Sequence, residues 1–551
     1  VNIPLIEDKA ALRLVGTYKN DKGFVDNIVS GEKGVNDGKV YSLRGTLFTQ
    51  LTDDFSAEFL ALYNSLEQDE YAQVDKSLGD LKSDVTERER FNNIDTTLFG
   101  LTLKYDLGFA ELSSISSHYS SELDVIQRFE GFASAFFGGF GPVTQEPYNT
   151  QLEVTSLAQE FRLVSQDDNR LDWVMGAYYR DKEQDGTFDI FIAPEEIDAV
   201  NAGAIADGIA PLPINPRTGR STFFDSFIVD TYEQYAVYGE VNYEITDRFE
   251  LTLGLRWFDE EVTYDNRVAA FGAIDFFSSD SPLVSFKDDG VVPKIGLSFH
   301  LSDDHMIYAL ASRGFRSSAI NLNQAFGVGG IGASPDSIWN YEIGAKTTWA
   351  DGRLVVNSSL YFIDWSDMQT AQTALSPVTN TVLTFRDNGG DAEVRGLELE
   401  VIAAPTESLS FGLALGYSDN ELAKSPVTLG AIEGAQLPHA PEWTFSGHGE
   451  YRFPIGGQEG YARFDMAYVD KQATTLITTT SDGNFIDSYV LGNLRLGVNV
   501  NDWDAALFVD NLWDERAEYG RGLPTLGATS NVFRVSIARP RTVGLTIGKS
   551  F

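Results

Sequence analysis

The chain has 551 residues, with 81 Asp and Glu against 41 Lys and Arg, five His and no Cys. A net charge of −40 argues against nucleic acid, which needs a basic surface, and the lack of Cys excludes disulfides, thiolate metal sites and a cysteine nucleophile. No run reaches the ~18 apolar residues of a transmembrane helix, and His118, His300, His305, His439 and His448 lack metal-ligand spacing.

The opening "VNIPLIEDKA" has neither a basic n-region nor an apolar h-region, so it is not read as a signal peptide. A first strand at 1–6 runs into the turn Glu7-Asp8-Lys9. Further strands follow in pairs joined by short polar turns. These lie at Thr52-Asp53-Asp54, Asp106-Leu107-Gly108, Gln166-Asp167-Asp168-Asn169, Thr246-Asp247, Ser302-Asp303-Asp304, Ala350-Asp351-Gly352, Pro405-Thr406-Glu407, Gly456-Gly457-Gln458 and Asn501-Asp502. Asp, Asn and Gly suit such places because they tolerate left-handed backbone angles and cap their own turns. Between the pairs lie long connections at 21–38, 69–91, 122–149, 187–222, 266–283, 319–336, 369–381, 421–440, 475–486 and 519–540.

Within the strands, side chains alternate in character. In "LTLGLRW" (251–257), Leu251, Leu253, Leu255 and Trp257 take one face; Thr252, Gly254 and Arg256 take the other. In 306–314, Met306, Tyr308 and Leu310 oppose Ile307, Ala309, Ala311 and Arg313. In 490–500, Val490, Leu494, Leu496, Val498 and Val500 oppose Asn493, Arg495, Gly497 and Asn499. The final strand, "RPRTVGLTIGKSF", sets Val543, Leu545, Ile547 and Phe551 against Thr542, Gly544, Thr546, Gly548 and Ser550. Lys549 falls on its apolar side near the strand end, where the ammonium can snorkel to water.

Short turns at one end and long loops at the other predict an all-β fold, a transmembrane antiparallel β-barrel. A soluble sandwich has no reason to keep every turn short at one end. Strands at 223–246 and 248–265 exceed the roughly 9–11 residues needed to cross the hydrocarbon. Trp257, Tyr361, Trp365, Trp503, Trp513 and Phe551 sit near strand ends, where interface girdles are expected. The turns and loops join 21 strands, and the first and last both run toward the short-turn end. Antiparallel closure needs an even number. The expectation is therefore a barrel of about 22 strands, with residues 1–551 starting inside the second. The first strand, a plug filling the wide lumen, and a signal peptide would precede Val1.

At this point the sequence resembles the barrel of a TonB-dependent outer-membrane receptor. The resemblance is carried by "VNIPLIEDKAALRLVGTYKNDKGFVDN" (1–27), "YALASRGFRSSAINLN" (308–323), "NYEIGAKTTWADGRLVVNSSLYFIDWSDMQ" (340–369), "EVRGLELE" (393–400), "LFVDNLWDE" (507–515) and "RPRTVGLTIGKSF" (539–551). It spans nearly all of the chain, although neither a plug nor a TonB box occurs within it. The resemblance implies energised uptake of a scarce, large solute, most commonly a ferric siderophore, with cobalamin and oligosaccharides as other cargoes. It implies an outer-membrane, multi-pass protein with long loops extracellular and the C-terminus periplasmic. Implied partners are the plug, the TonB energy-coupling complex, bilayer lipid and lipopolysaccharide, and the barrel assembly machinery that reads the terminal Phe551. A passive plugless pore and a surface scaffold or adhesin are the alternatives.

Glu240, Arg256, Arg313, Glu398, Glu400 and Arg495 are candidates for facing the lumen or the plug, against an ordinary solvated wall. Phe129, Phe132, Phe136, Phe137 and Phe140 cluster in a Gly-rich long loop and are candidates for ligand contact, because exposed apolar clusters often bind. Asp181, Glu183, Asp185, Asp189, Glu195, Glu196 and Asp198 fall in a segment read as an acidic loop. Hard divalent cations take carboxylates, but the spacing matches no calcium loop and a solvated surface is the simpler reading. His118 near Ser120 has no third group to complete a hydrolase, so an enzyme is not expected. No cofactor is expected.

Overall fold

A computed structural model describes residues 1–69, 73–83, 91–128, 147–166, 170–191, 197–206, 214, 221–270, 277–280, 283–321, 328–375, 377, 382–425, 433–474, 476, 485–521 and 534–550. The alternating segments form β1 (Asn2–Ile6), β2 (Ala10–Asp21), β3 (Gly38–Thr52), β4 (Phe55–Gln68), β5 (Phe91–Asp106), β6 (Ala110–Arg128) and β7 (Pro147–Ser165). Next come β8 (Leu171–Phe191), β9 (Thr222–Thr246), β10 (Phe249–Ala270), β11 (Val284–Ser302), β12 (His305–Arg316), β13 (Asp336–Trp349) and β14 (Leu354–Ser366). The last are β15 (Asp391–Thr406), β16 (Leu409–Lys424), β17 (Trp443–Ile455), β18 (Gln458–Val469), β19 (Tyr489–Val500), β20 (Trp503–Asp510) and β21 (Thr542–Lys549). Each pairs antiparallel with its neighbours in chain order. The main sheet also takes in the short strand Phe277–Asp280, which pairs with the tip of β10.

The short-turn end follows the turn chemistry. Asp8, Ala350, Asp351 and Asn501 adopt positive φ there, as do Gly456 and Gly457. At the other end the strands rise to very different heights. β9 has 25 residues and β10 has 22, so more than half of β9 stands beyond an apolar belt of about 9–11 residues. This corrects the reading of the carboxylates from Asp181 to Asp198 as an acidic loop. Asp181, Glu183, Asp185 and Asp189 stand on β8. Asp198 begins a helix, Ile197–Ala206, and Glu195 and Glu196 lie outside the described residues. The long connection read as 369–381 is longer than expected: Gln369–Leu375 pairs with Val382–Asn388 in a hairpin that extends past it.

The sheet curves until loops from its two extremes meet. Gln73–Asp75, after β4, pairs with Arg534–Ile537 before β21, which pairs in turn with Glu518–Arg521. Val25, Val74, Val535 and Ile537 form a buried core under these loops. Arg539 Nη1 reaches Asp21 at 2.8 Å, and Arg516 Nε reaches Asp80 at 3.0 Å. A second loop core gathers Met368, Ala392, Leu422 and Leu437. Both cores lie beneath the long loops.

Register separates two faces. Leu253, Leu255, Trp257, Ile343, Leu545 and Ile547 are exposed outward, and their alternates carry the polar side chains inward. Inner aromatics lie flat against glycines of the next strand: Tyr238 on Gly176, Tyr308 on Gly344, Tyr361 on Gly396 and Tyr461 on Gly497, where a Cβ would collide with the ring. Tyr361 thus faces inward rather than joining an interface girdle. Trp365 also turns in and donates to Asp336, whereas Trp257, Trp503 and Trp513 are exposed. The outer belt has a polar interruption on β6 and β7. Ser114, Ser116 and His118 share the outer face with Leu112, and Gln159 joins Ser114 and Ser116 by hydrogen bonds.

Candidate functional site

The inner wall of β7–β11 carries a connected polar band. Direct cross-strand partners place Arg162, Gly176, Tyr238 and Arg256 in one row. Because Gly176 has no side chain, the Tyr238 ring lies over it and donates its hydroxyl to Glu160. Arg256 Nη2 donates to Gln234 Oε1 at 3.1 Å, and its guanidinium lies 5.5 Å from the Tyr178 ring centre. Glu240 accepts from Lys294 Nζ at 2.9 Å, which balances both charges on the wall. Higher up, Arg180 sits over Tyr232 at 5.8 Å, and Tyr232 donates to Glu260 at 2.8 Å.

A groove of about 570 Å³ runs along the inner wall from β12 to β18. Tyr308, Glu342, Lys346, Asn357, Glu398 and Glu400 line it. Tyr308 donates to Glu342, and Asn357 Nδ2 donates to Glu400 at 2.9 Å. Lys346 Nζ lies 5.8 Å above the Tyr308 ring. Three carboxylates and one ammonium give the groove an acidic bias, suited to a body that presents cationic groups.

Arg495 stands elsewhere, on the inner face of β19 directly opposite Arg463 of β18. Arg463 is held by Asp465, with Nη2 to Oδ1 at 2.7 Å. Arg313 departs from the expectation. It shares its face of β12 with Ile307, the side opposite Tyr308, and is exposed beside its cross-strand partner Trp339. Tyr308 reads as apolar in the sequence pattern, yet its hydroxyl commits that face to the carboxylates of the lumen. Arg313 is therefore on the outer wall. The other five sequence-predicted charges fall into three places on the inner wall: Glu240 with Arg256, Glu398 with Glu400, and Arg495 alone. Phe129, Phe132, Phe136, Phe137, Phe140 and Phe551 lie outside the described residues.

At the long-loop mouth, buried Asp336 organises several connections. It accepts from Trp365 Nε1 at 3.1 Å, Gln369 N at 2.8 Å and Arg316 Nε at 3.2 Å. Asn321 reaches across to Arg386 O at 2.7 Å, tying the 317–335 connection to the 369–388 hairpin. Asp514 is held down to about 2 by its bonds from Arg516 and then by the Arg541 backbone N–H. Asp69 is pushed up to about 6, chiefly by burial and next by the facing Asp37. Among the described residues, no group of three His, Asp or Glu side chains is placed to hold a metal ion.

Sequence reasoning missed the inner tyrosines. Their signal is a Tyr on one strand opposite a Gly on the next, visible only once register is known.

A profile of the family described as "TonB dependent receptor-like, beta-barrel" matches residues 31–512. Among curated relatives, the probable TonB-dependent siderophore receptor PiuA of Acinetobacter baumannii is 25% identical over 306 residues, covering 52% of this chain and 37% of that protein. The pesticin receptor of Yersinia pestis is 25% identical over 170 residues, covering 31% of this chain and 23% of that one. The chain thus spans well under half the length of these relatives. Among solved structures, the ferric yersiniabactin uptake receptor FyuA of Yersinia pestis superposes with a TM-score of 0.79 at 17% identity, covering 99% of this chain and 76% of that one.

Proposed function

The chain belongs to the TonB-dependent receptor β-barrel family, an outer-membrane fold, and we propose that it forms the wall of an active importer for a scarce, large solute, a ferric siderophore first of all. The observation that carries this is the inner wall. Its charged and phenolic side chains form a polar surface that a plug and a passing chelate can both wet, while the outer belt is apolar. The siderophore-receptor names among its relatives support the choice of cargo. In this reading the long loops face outward and capture the solute, and Phe129, Phe132, Phe136, Phe137 and Phe140 form one contact surface. The C-terminus faces the periplasm, and Phe551 serves assembly. Glu398 and Glu400 face the plug, and TonB supplies the energy through it.

The test is uptake of iron-loaded siderophores by a receptor-deleted, iron-starved strain carrying this protein in its full-length form, with and without a working TonB system. Uptake that needs both supports the reading. Uptake indifferent to TonB, with a large ungated conductance in planar bilayers, would establish the passive pore instead.

A further inference from the structure

The structure assigns an organic-ammonium subsite to the inner wall around Glu260, and we propose that it receives an alkylammonium arm of the carried solute. Glu260 is 2% exposed, which is unusual for a carboxylate on a lumen wall. Its Oε2 accepts from Tyr232 Oη and from Gln234 Nε2, both at 2.8 Å. Its Oε1 has no hydrogen-bond partner. Among the described residues no Lys, Arg or His forms an ion pair with it. The nearby guanidiniums are committed: Arg256 to Gln234 and the Tyr178 ring, Arg180 to Ser156 at 3.2 Å and the Tyr232 ring.

A buried carboxylate without a cation is costly, and natural proteins supply the missing charge. The surroundings say which kind. Asp288 is the direct cross-strand neighbour of Glu260 and adds a second carboxylate. Phe258, 4% exposed, is the next inner residue below Glu260. Two carboxylates over an aromatic floor suit a primary ammonium on an alkyl stem. A divalent cation would ask for six or more oxygen ligands, which these residues do not provide. Ser318 covers the site from the 317–335 connection, its Oγ donating to Asp288 at 2.8 Å. The Ser318 backbone N–H lies 3.4 Å from the same Asp288 oxygen, and the hydroxyl contact is replaceable by an incoming N–H donor.

The inference rests on the importer reading only for the origin of the ammonium. The experiment is thermal unfolding of the purified protein in detergent with 1,5-diaminopentane, against 1,5-pentanediol as the uncharged isostere. Saturable stabilisation by the diamine alone is expected. Glu260→Gln keeps acceptors for Tyr232 and Gln234 and should weaken the diamine response at least tenfold. Tyr232→Phe removes a donor and leaves the carboxylate needier, so binding should be as tight or tighter. Equal responses to diamine and diol, an undiminished response in Glu260→Gln, or a loss in Tyr232→Phe would each overturn the site. Intact diamine binding with TonB-independent uptake would overturn the importer reading and leave the site standing.

Discussion

Asp69 and Asp514 titrate in opposite senses although both sit in loops near the clasp that joins the sheet's extremes. Asp514 is held near 2 by Arg516 and the Arg541 N–H, below its unfolded value of about 3.9. Its contribution is present above about pH 4 and is lost as pH falls toward 2. Asp69 is raised to about 6 by burial and by Asp37, so the folded state prefers it protonated. Its contribution is full below about pH 4 and is lost as pH rises through 6. The Asp69 backbone N–H also bonds Asp37 O at 3.1 Å, so the pair joins the 22–37 and 69–90 connections. Protease nicking of these loops should therefore slow on acidification from pH 7 to 5. Asp69→Asn should be slow at both values; if it keeps the wild-type pH dependence, another group is responsible. At the same scale, a Cβ at Gly344 would enter the Tyr308 ring that reaches Glu342. Gly344→Ala should cost about 1–3 kcal/mol in unfolding free energy. Tyr308→Ala should cancel much of that cost in the double variant, and strict additivity would deny the contact.

Strand order, turn positions and the two-faced pattern were legible because each is local. Alternation identifies a strand, and Asp-Asn-Gly clusters end it. Which way an aromatic points is not local. Tyr361 and Trp365 look like girdle residues by position, yet one rests on Gly396 and the other donates to Asp336, partners set by register with other strands. Arg313 was misplaced for the same reason. Strand height was illegible too, since carboxylates on β8 above the belt look like loop composition. The polar clasp on β6 and β7 could be seen only as scattered Ser and Gln. Gln159 Nε2 donates to Ser114 at 3.1 Å while its Oε1 accepts from Ser116, so each group is satisfied although it faces hydrocarbon. Gln159→Leu should leave both hydroxyls without this partner and cost roughly 1–2 kcal/mol. Replacing Ser114 and Ser116 by Ala as well should recover most of it. Urea unfolding from bilayers measures both, and a harmless single substitution would mean that the serines find other acceptors.

At the scale of the whole molecule, loops at the mouth link strands that are far apart in chain order. Antiparallel pairing carries neighbours in chain order along their length. The loop clasp includes the Arg534–Ile537 pairing with Gln73–Asp75, the Arg539–Asp21, Arg516–Asp80 and Lys76–Glu518 bridges, and the core of Val25, Val74, Val535 and Ile537. Each bridge has at least one exposed partner and is worth little alone. Val535 and Ile537 are 0% and 5% exposed, so the apolar core dominates the clasp. Truncating both to Ala should cost roughly 3–6 kcal/mol if the core cannot collapse. The matching truncation of Leu422 and Leu437 in the second loop core should cost a similar amount but act differently. Only the first pair ties distant strands, so only its loss should lower the temperature at which the barrel opens on a denaturing gel while speeding proteolysis at the clasp loops. Equal opening temperatures for the two double variants would show that the clasp carries no closing load, and that the wall holds its curvature through strand pairing alone.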